Sequence, residues 1–398
     1  MGRPVNTRPV GRAMKTRRSG GGIDWLLLME DYQASYTEAY KADPKLHSLP
    51  YKVCAERLFS RAIYYGDAYI HALTSCGFSA EQVVPLCQPL QFKWADGADV
   101  WNPSEWIAKL PMNSGSPVII RQLLDRWVLS RILAKQIVSR RPEFVWLFSG
   151  VPVAAREVRR WRRYTGHTLL WWSCPLWEDF PYGEFDLILA AIPSLIRVFE
   201  EQGIRAAYLP HAFDHRIIQR VPCLESRIPR VAFVGSLSPG HTDRISFLHA
   251  LSRRVPIDFY GSGVQFLPKD SPLRHSYRGQ AWGEDLYSVY GSYLVVVHRN
   301  IDVAGTSASA KRLFEAAGMG ACVVTESSDG LSSLFAPGEE IVTYSDLEEC
   351  GAKIESLLSD PAKARAIGQK AQARTLQDHT YYQRTRTLLD YLGVNQLQ

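Results

Sequence analysis

Hydroxyl and cationic side chains cluster where a predicted loop runs into a predicted helix near residue 310. Thr306, Ser307 and Ser309 supply hydroxyl groups at this junction, as helix N-caps do. The first turn of a helix has free backbone N–H groups and the positive end of the helix dipole, and both favour a bound diphosphate. Lys311 and Arg312 follow, where they can neutralise its charge. The segment therefore predicts a site for a diphosphate group.

Glu315 lies three residues after Arg312, so the two side chains can share one face of the helix. A carboxylate in that position can accept two hydrogen bonds from the vicinal hydroxyls of a ribose. Gly318 and Gly320 then permit a tight turn into the next strand. The same spacing also fits an amphipathic helix with an Arg–Glu pair on its surface. Spacing alone leaves both interpretations open.

Three further segments place small or charged residues directly after a predicted strand. Parallel sheets bind ligands beyond the carboxyl ends of their strands, where a glycine permits close approach and an arginine neutralises an anion. One such segment is weak evidence, because glycines close these turns in many proteins. Three together favour an anionic ligand. In chain order the residues are Gly235, Ser236 and Arg244, then Gly261 and Gly263, then His298 and Arg299.

A catalytic base is expected from the N-terminal half of the chain. Carboxylates and imidazoles that follow a strand can reach a cleft and deprotonate an acceptor hydroxyl. Most acids in such loops are solvated or cap turns, so this alternative stays open. The candidates are Glu178, Asp179 and His211, with Glu30, Asp31 and Asp214 in comparable positions.

Short apolar runs alternate with amphipathic stretches, which is typical of parallel α/β architecture. The periodicity fades between Asp214 and Arg230, so two Rossmann-like, doubly wound domains are predicted to face an interdomain cleft. The expected divisions are a tail at 1–22, domains at 23–215 and 216–377, and a C-terminal helix at 378–398 with the option of crossing back to the N-terminal domain. We also expect a loop at 30–50, one helix at 52–76 and irregular structure at 88–116.

Composition limits the class of protein. The formal net charge is +6, but six of the first eighteen residues are basic and none is acidic, so the excess charge lies in a tail expected to be disordered. The seven cysteines form no CxxC pair, which favours reduced thiols and a cytoplasmic location. No run of eighteen apolar residues occurs, and no Asp-x-Asp motif is present to hold a metal ion.

These segments together resemble the CgeB-like (spore maturation protein B-like) branch of the GT-B glycosyltransferases, which are related to family 4. The resemblance covers roughly residues 55–390 and implies a GT-B fold with an N-terminal acceptor domain and a C-terminal nucleotide-sugar domain. It implies transfer of a sugar from a nucleotide-diphosphate-sugar. The motifs that carry it are VAFVGSL, DFYGSG, YRGQAW, VVVHRN and, above all, KRLFEAAGMGACVVTE.

The resemblance also implies roles for particular residues. Glu315 would hold the donor ribose, and Arg278 with Gly279 would contact the base. The diphosphate would be lined by Gly235, Arg244 and Arg312. Related enzymes commonly carry a second glutamate eight positions earlier, near the donor sugar. This chain has Ser307 there, which leaves the donor sugar and the stereochemistry open.

The expected partners are the donor and an acceptor that is a glycan, a lipid-linked molecule, a protein or a small molecule. The basic tail is a candidate for peripheral contact with the inner face of a membrane, and no nucleic-acid partner is expected. No cofactor or metal is expected besides the donor substrate. Two alternatives stay open: a nucleotide-sugar epimerase of the same fold, and a nucleotide-sugar-binding protein without activity.

Overall fold

The computed structural model of the chain describes residues 22–29, 33–61, 65–98, 100, 116–240, 242–300 and 311–394, with side chains for all but 33–35 and 116–124. The predicted basic tail up to residue 21 lies outside these residues. So do the candidates Glu30, Asp31, Thr306, Ser307 and Ser309. No helix among the described residues is both long and apolar enough to cross a bilayer.

The N-terminal domain is built on a parallel sheet. Its strands are β1 Trp25–Leu28, β2 Ala80–Val83, β3 Phe144–Phe148, β4 His167–Trp172, β5 Leu187–Ala190 and β6 Ala206–Tyr208. Among the described residues they are ordered β2-β1-β3-β4-β5-β6, and every pair is parallel. Strands β1 and β3 are apolar along their whole length because helices cover both faces of the sheet.

The C-terminal domain repeats this design. Its strands are β7 Ile228–Val234, β8 Ile257–Tyr260, β9 Tyr293–His298, β10 Cys322–Glu326 and β11 Val342–Tyr344. They form a parallel sheet ordered β11-β10-β9-β7-β8 among the described residues. The prediction of two doubly wound α/β domains is confirmed.

Helices separate the strands and cover the sheets. In the N-terminal domain they are α1 Gln33–Ala42, α2 Tyr51–Phe59, α3 Ala68–Ser75, α4 Gln88–Gly97, α5 Ser116–Arg140, α6 Ala155–Trp161 and α7 Pro193–Glu201. The connection between domains carries α8 Ile217–Arg220. The helices that follow are α9 Thr242–Ser252, α10 Pro272–His275, α11 Glu284–Ser292, α12 Lys311–Gly318, α13 Leu347–Ser359, α14 Pro361–Asp378 and α15 Tyr381–Leu392.

Three expectations for the N-terminal domain were wrong. The single helix expected at 52–76 is two helices, α2 and α3, separated by a segment in which Gly66 has a φ of 52°, which a helix does not adopt. The loop expected at 30–50 contains α1, whose apolar side chains face the core. The irregular segment expected at 88–116 begins with α4, because Pro89 occupies the first turn, where a helix tolerates proline.

The final helix α15 packs on the N-terminal domain. Tyr381, Leu388, Leu389 and Leu392 belong to the same apolar core as the aromatic residues of β1 and β3. The rings of Tyr69 and Tyr381 lie 4.7 Å apart at a steep angle. The chain thus crosses between the domains twice, once after β6 and once before α15.

We predict that Leu388→Ala destabilises the N-terminal domain by about 2–5 kcal/mol, because it opens a cavity under a fully buried side chain. Urea unfolding followed by tryptophan fluorescence measures this, since Trp282 is the only tryptophan beyond Trp177 and the signal reports the N-terminal domain. Arg386→Ala, an exposed position on the same helix, is the control and should change stability by less than about 0.5 kcal/mol. Equal stability of the two variants would contradict the docking of α15.

Candidate functional site

The order of the C-terminal sheet predicts where a ligand binds. Strand order reverses between β7 and β9, because the chain first adds β8 on one side and then β9 on the other. Ligands of open parallel sheets bind at the carboxyl ends of the strands on either side of such a reversal. The residues that follow β7 and β9 are Gly235 with Ser236 and Arg299, all of them site candidates from the sequence.

The loops after β7 and β8 touch each other through their backbones. Gly235 N–H donates to Tyr260 O at 2.9 Å, and Leu237 N–H donates to Ser262 O at 2.9 Å. A Cβ on Gly261 would overlap the carbonyl of Gly235, and one on Gly263 would overlap that of Leu237. Loop packing therefore requires glycine at 261 and 263, whatever ligand binds nearby.

Arg312 lies directly below the first of these loops. Its Nη1 donates to Val234 O at 2.6 Å, at the carboxyl end of β7. A Cβ added to Gly235 would lie 2.8 Å from the same nitrogen, so the glycine makes room for the guanidinium. Arg312 forms no ion pair with any carboxylate of the described residues, so its charge is available to an anion.

Arg244 joins the loops after β7 and β9. It is buried, and it donates from Nη1 to Ser236 O at 3.3 Å and from Nη2 to Arg299 O at 2.7 Å. Arg299 itself points away, because its Nη1 pairs with Glu326 Oε1 at 2.7 Å and its guanidinium covers the ring of Phe247. Arg244 thus ties the two strand ends together, and Arg299 pairs with an acid of the next strand.

His298 is a neutral, buried neighbour of these arginines. Burial, together with the charges of Arg244 and Arg312, lowers its pKa to about 3. Its Nδ1 lies 3.0 Å from Thr325 Oγ1, and its carbonyl accepts the hydroxyl of Tyr344. The imidazole therefore supports the strand ends and adds no charge at neutral pH.

Glu315 is buried beside Lys311, which is four residues earlier on α12. Lys311 Nζ lies 3.0 Å from Glu315 Oε1, and the two side chains are only 9% and 4% exposed. The hydroxyl of Tyr287 donates to the same oxygen at 3.4 Å. Oε1 is thus occupied, and among the described residues Oε2 accepts no hydrogen bond. Oε1 is held within the protein in this arrangement, so Oε2 is the oxygen left to accept hydrogen bonds from a ribose.

Arg278 is anchored to a buried carboxylate. Its Nε and Nη2 donate to Asp258 Oδ1 at 3.1 and 3.0 Å, while Arg230 and Tyr293 donate to Oδ2. Burial alone would raise the pKa of Asp258, but these hydrogen bonds outweigh it and lower the pKa. Gly279 follows with a φ of 91°, and a Cβ there would meet no atom within 4 Å. The backbone at Gly279 therefore has free space beside it, and the bonds from Arg278 to Asp258 hold this turn in place.

The N-terminal candidates separate into two groups. His211 is buried next to the C-terminal domain, with its ring 4.9 Å from that of Trp171. Burial lowers its pKa to about 3, and the charges of Lys311 and Arg384 act in the same direction. Glu178 and Asp179 lie in an exposed turn after β4 and form no hydrogen bond or ion pair with the described residues. The structure thus brings His211 to Lys311 but leaves the two acids in solvent.

Two interdomain contacts were not predicted. Lys311 Nζ lies 5.1 Å from the centre of the Tyr65 ring, which belongs to the N-terminal domain. Arg216 joins Asp214 to Asp67 of the same N-terminal segment, with Nη1 3.3 Å from Asp67 Oδ2 and Nε 2.9 Å from Asp214 Oδ1. Tyr65 is far from Lys311 in sequence, and Asp67 is far from Arg216. No local pattern predicts these two contacts, because only the arrangement of the domains brings the partners together.

Comparisons with known proteins agree with this architecture. Residues 244–390 match the family model described as "Glycosyl transferase-like". A glycosyltransferase from Rickettsia africae superposes with a TM-score of 0.57 at 12% identity, over 94% of this chain and 99% of its own. HepE of Anabaena, solved in complex with UDP-glucose, gives 0.52 at 14% identity, over 93% and 99%. No curated protein sequence matches the chain significantly.

These comparisons agree on the fold. The chain has a GT-B architecture, and its residues 244–390 are similar to the glycosyl transferase-like family. In the part of the chain that the structure describes, no three His, Cys, Asp or Glu side chains are grouped to hold a metal ion. The described part of the site contains arginines, Lys311, backbone groups and the buried carboxylates of Glu315 and Asp258.

We predict that the chain loses stability as the pH falls below about 6.5, in part through His298. Its folded pKa of about 3 lies below that of an unfolded histidine, so the unfolded chain binds the proton first and gains stability. Between pH 7 and 5 this amounts to about 2 kcal/mol for one histidine. Between pH 7 and pH 5, the free energy of unfolding of His298→Asn, measured with urea, should therefore fall by about 2 kcal/mol less than that of wild type.

The matched control for this measurement is His275→Asn, because the side chain of His275 is exposed. We expect its pH profile to follow that of wild type. A His298→Asn profile parallel to wild type would show that His298 is not held neutral in the folded protein.

Proposed function

We propose that the chain transfers a sugar from a nucleotide-diphosphate-sugar to an acceptor, without a metal ion. The observation that carries this proposal is the position of Arg312. Its guanidinium lies at the carboxyl end of β7, beside the strand-order reversal, and no described carboxylate balances its charge. A dianionic leaving group is the ligand that such a site fits.

The diphosphate would bind over Gly235, between Arg312 and Arg244. Positioned cations and backbone N–H groups stabilise charge as it develops on a leaving group, and they need no reorganisation during the reaction. Other folds use a metal ion for this task. Arg244 donates to two strand-end carbonyls, which fixes its guanidinium where the negative charge forms.

The ribose would bind at Glu315. Its Oε1 is held by Lys311 and Tyr287, so Oε2 is the oxygen that would accept a ribose hydroxyl. The base would lie against Gly279, where the backbone is open. Both assignments follow the resemblance to the CgeB-like branch, which we propose as the group to which the chain is related.

The acceptor would approach from the N-terminal domain. His211, Glu178 and Asp179 remain the candidates for the general base. His211 lies next to the donor side but is a weak base because burial lowers its pKa to about 3. The exposed acids have no constraint on their orientation among the described residues. The cysteines are all free thiols, which favours a reducing compartment, and we propose the cytoplasm.

We predict that Glu315→Gln weakens the binding of UDP, the nucleotide present in the HepE complex, by about tenfold or more. A hydrogen bond to a charged group contributes roughly 1.5–3 kcal/mol, and the substitution removes the charge while keeping the shape. Isothermal titration calorimetry of UDP into both proteins measures the effect. The control is Glu349→Gln, which removes a glutamate from another Lys–Glu pair four residues apart in the same domain. Equal affinities for wild type and Glu315→Gln would remove Glu315 from the site.

We predict that sugar transfer survives EDTA, because arginines and not a metal ion would stabilise the leaving diphosphate. The measurement is release of UDP from UDP-sugars in the presence of candidate acceptors, with and without chelator. Activity that disappears in EDTA and returns with magnesium or manganese would contradict the metal-independent mechanism. Turnover of the sugar with donor alone, without transfer, would indicate the epimerase alternative.

A further inference from the structure

Lys311 is buried in an unusual place for a lysine. A Lys–Glu pair four residues apart on a helix is ordinarily a surface feature, as in Lys353–Glu349, where the side chains are 39% and 37% exposed. Lys311 and Glu315 are 9% and 4% exposed. Among the described residues, the ring of Tyr65 from the other domain lies 5.1 Å from the ammonium.

We propose that Lys311 is a positioning residue through which the N-terminal domain controls the ribose-binding carboxylate. The contacts form a chain, which we name the Tyr65–Lys311–Glu315 bridge: the ring of Tyr65 holds the ammonium, and the ammonium holds Oε1 of Glu315. This inference rests on the proposed function, because it gives Glu315 a ligand. It adds that the ligand site is complete only when the two domains are in contact.

The geometry gives each member of the bridge a distinct task. An aromatic ring attracts a cation over its face, and more strongly when water is excluded. With Lys311 fixed, its ammonium and the hydroxyl of Tyr287 both bind Oε1, so the carboxylate cannot rotate and Oε2 is left for the ligand. If Tyr65 withdraws, water reaches the ammonium and the carboxylate loses its fixed orientation.

A second interdomain contact holds Tyr65 in position. Asp67, two residues later, pairs with Arg216 in the connection between the domains. Gly66 lies between them with a φ of 52°, so the backbone turns sharply from the ring to the carboxylate. The Tyr65 segment is thus fixed to the connection on one side and to Lys311 on the other.

The test is the affinity for UDP and for 2′,3′-dideoxy-UDP of wild type, Tyr65→Phe, Tyr65→Leu, Lys311→Arg and Lys311→Met. Tyr65→Leu removes the ring and should weaken UDP binding by about three- to thirtyfold, whereas Tyr65→Phe keeps the ring and should bind as wild type. The dideoxy analogue lacks the ribose hydroxyls, so Tyr65→Leu should not alter its affinity. A structural defect would weaken both ligands equally.

The link through Lys311 is tested by combining substitutions. In a Lys311→Met background, Tyr65→Leu should cause no further loss. The single variant Lys311→Arg should retain most of the wild-type affinity because it keeps the cation. Lys353→Met is the matched control and should bind UDP as wild type. All affinities are measured below the melting temperature of each variant, which keeps unfolding separate from binding.

The outcomes distinguish the two proposals. Unchanged UDP affinity in Tyr65→Leu, or an equal loss with and without Lys311, overturns the bridge and leaves the proposed function standing. Failure of wild type to bind any nucleoside diphosphate overturns the proposed function, and the bridge with it.

Discussion

The arrangement of the two domains depends on Arg384, which joins the two points where the chain crosses between them. Its Nε donates to Pro210 O and His211 O in the first crossing, at 3.2 and 3.1 Å. Its Nη2 donates to His379 Nδ1 at 2.9 Å in the second. The crossings also pair directly, since Phe213 N–H donates to His379 O at 2.9 Å. A fourth bond runs from its Nη1 to Asp378 O at 3.1 Å. A buried arginine with four acceptors holds both segments together, and a buried acceptor that loses its donor costs free energy.

Away from this crossing, the domains touch through charged and aromatic contacts. Arg216 pairs with Asp67, and Lys311 lies against Tyr65. Contacts of this kind exchange with water more readily than an apolar core does, and relative motion is the ordinary expectation for domains joined in this way.

The arginines of the C-terminal domain divide into two groups by their partners. Arg230 and Arg278 share the buried carboxylate of Asp258, and Arg299 pairs with Glu326, so each of these arginines has an acidic partner within the fold. Arg312 donates to a backbone carbonyl, which orients the guanidinium without neutralising it. A count of arginines near strand ends therefore overestimates the positive charge that is available to a ligand. Whether a given arginine can bind an anion depends on whether it already has an acidic partner.

The sequence by itself determined the two α/β domains, the strand ends of the C-terminal half and the helix that carries Arg312 and Glu315. These follow from local patterns, because a strand or helix buried on a known face must repeat apolar residues at a fixed period. The helices α1 and α4 were missed where the apolar pattern was short or a proline opened the helix. Only the tertiary structure decided that Lys311 lies against Tyr65, that one oxygen of Glu315 is occupied, and that Arg278 and Arg299 pair with acids. Each of these contacts joins side chains from different elements, and a linear pattern carries no information about which distant residues burial will bring together.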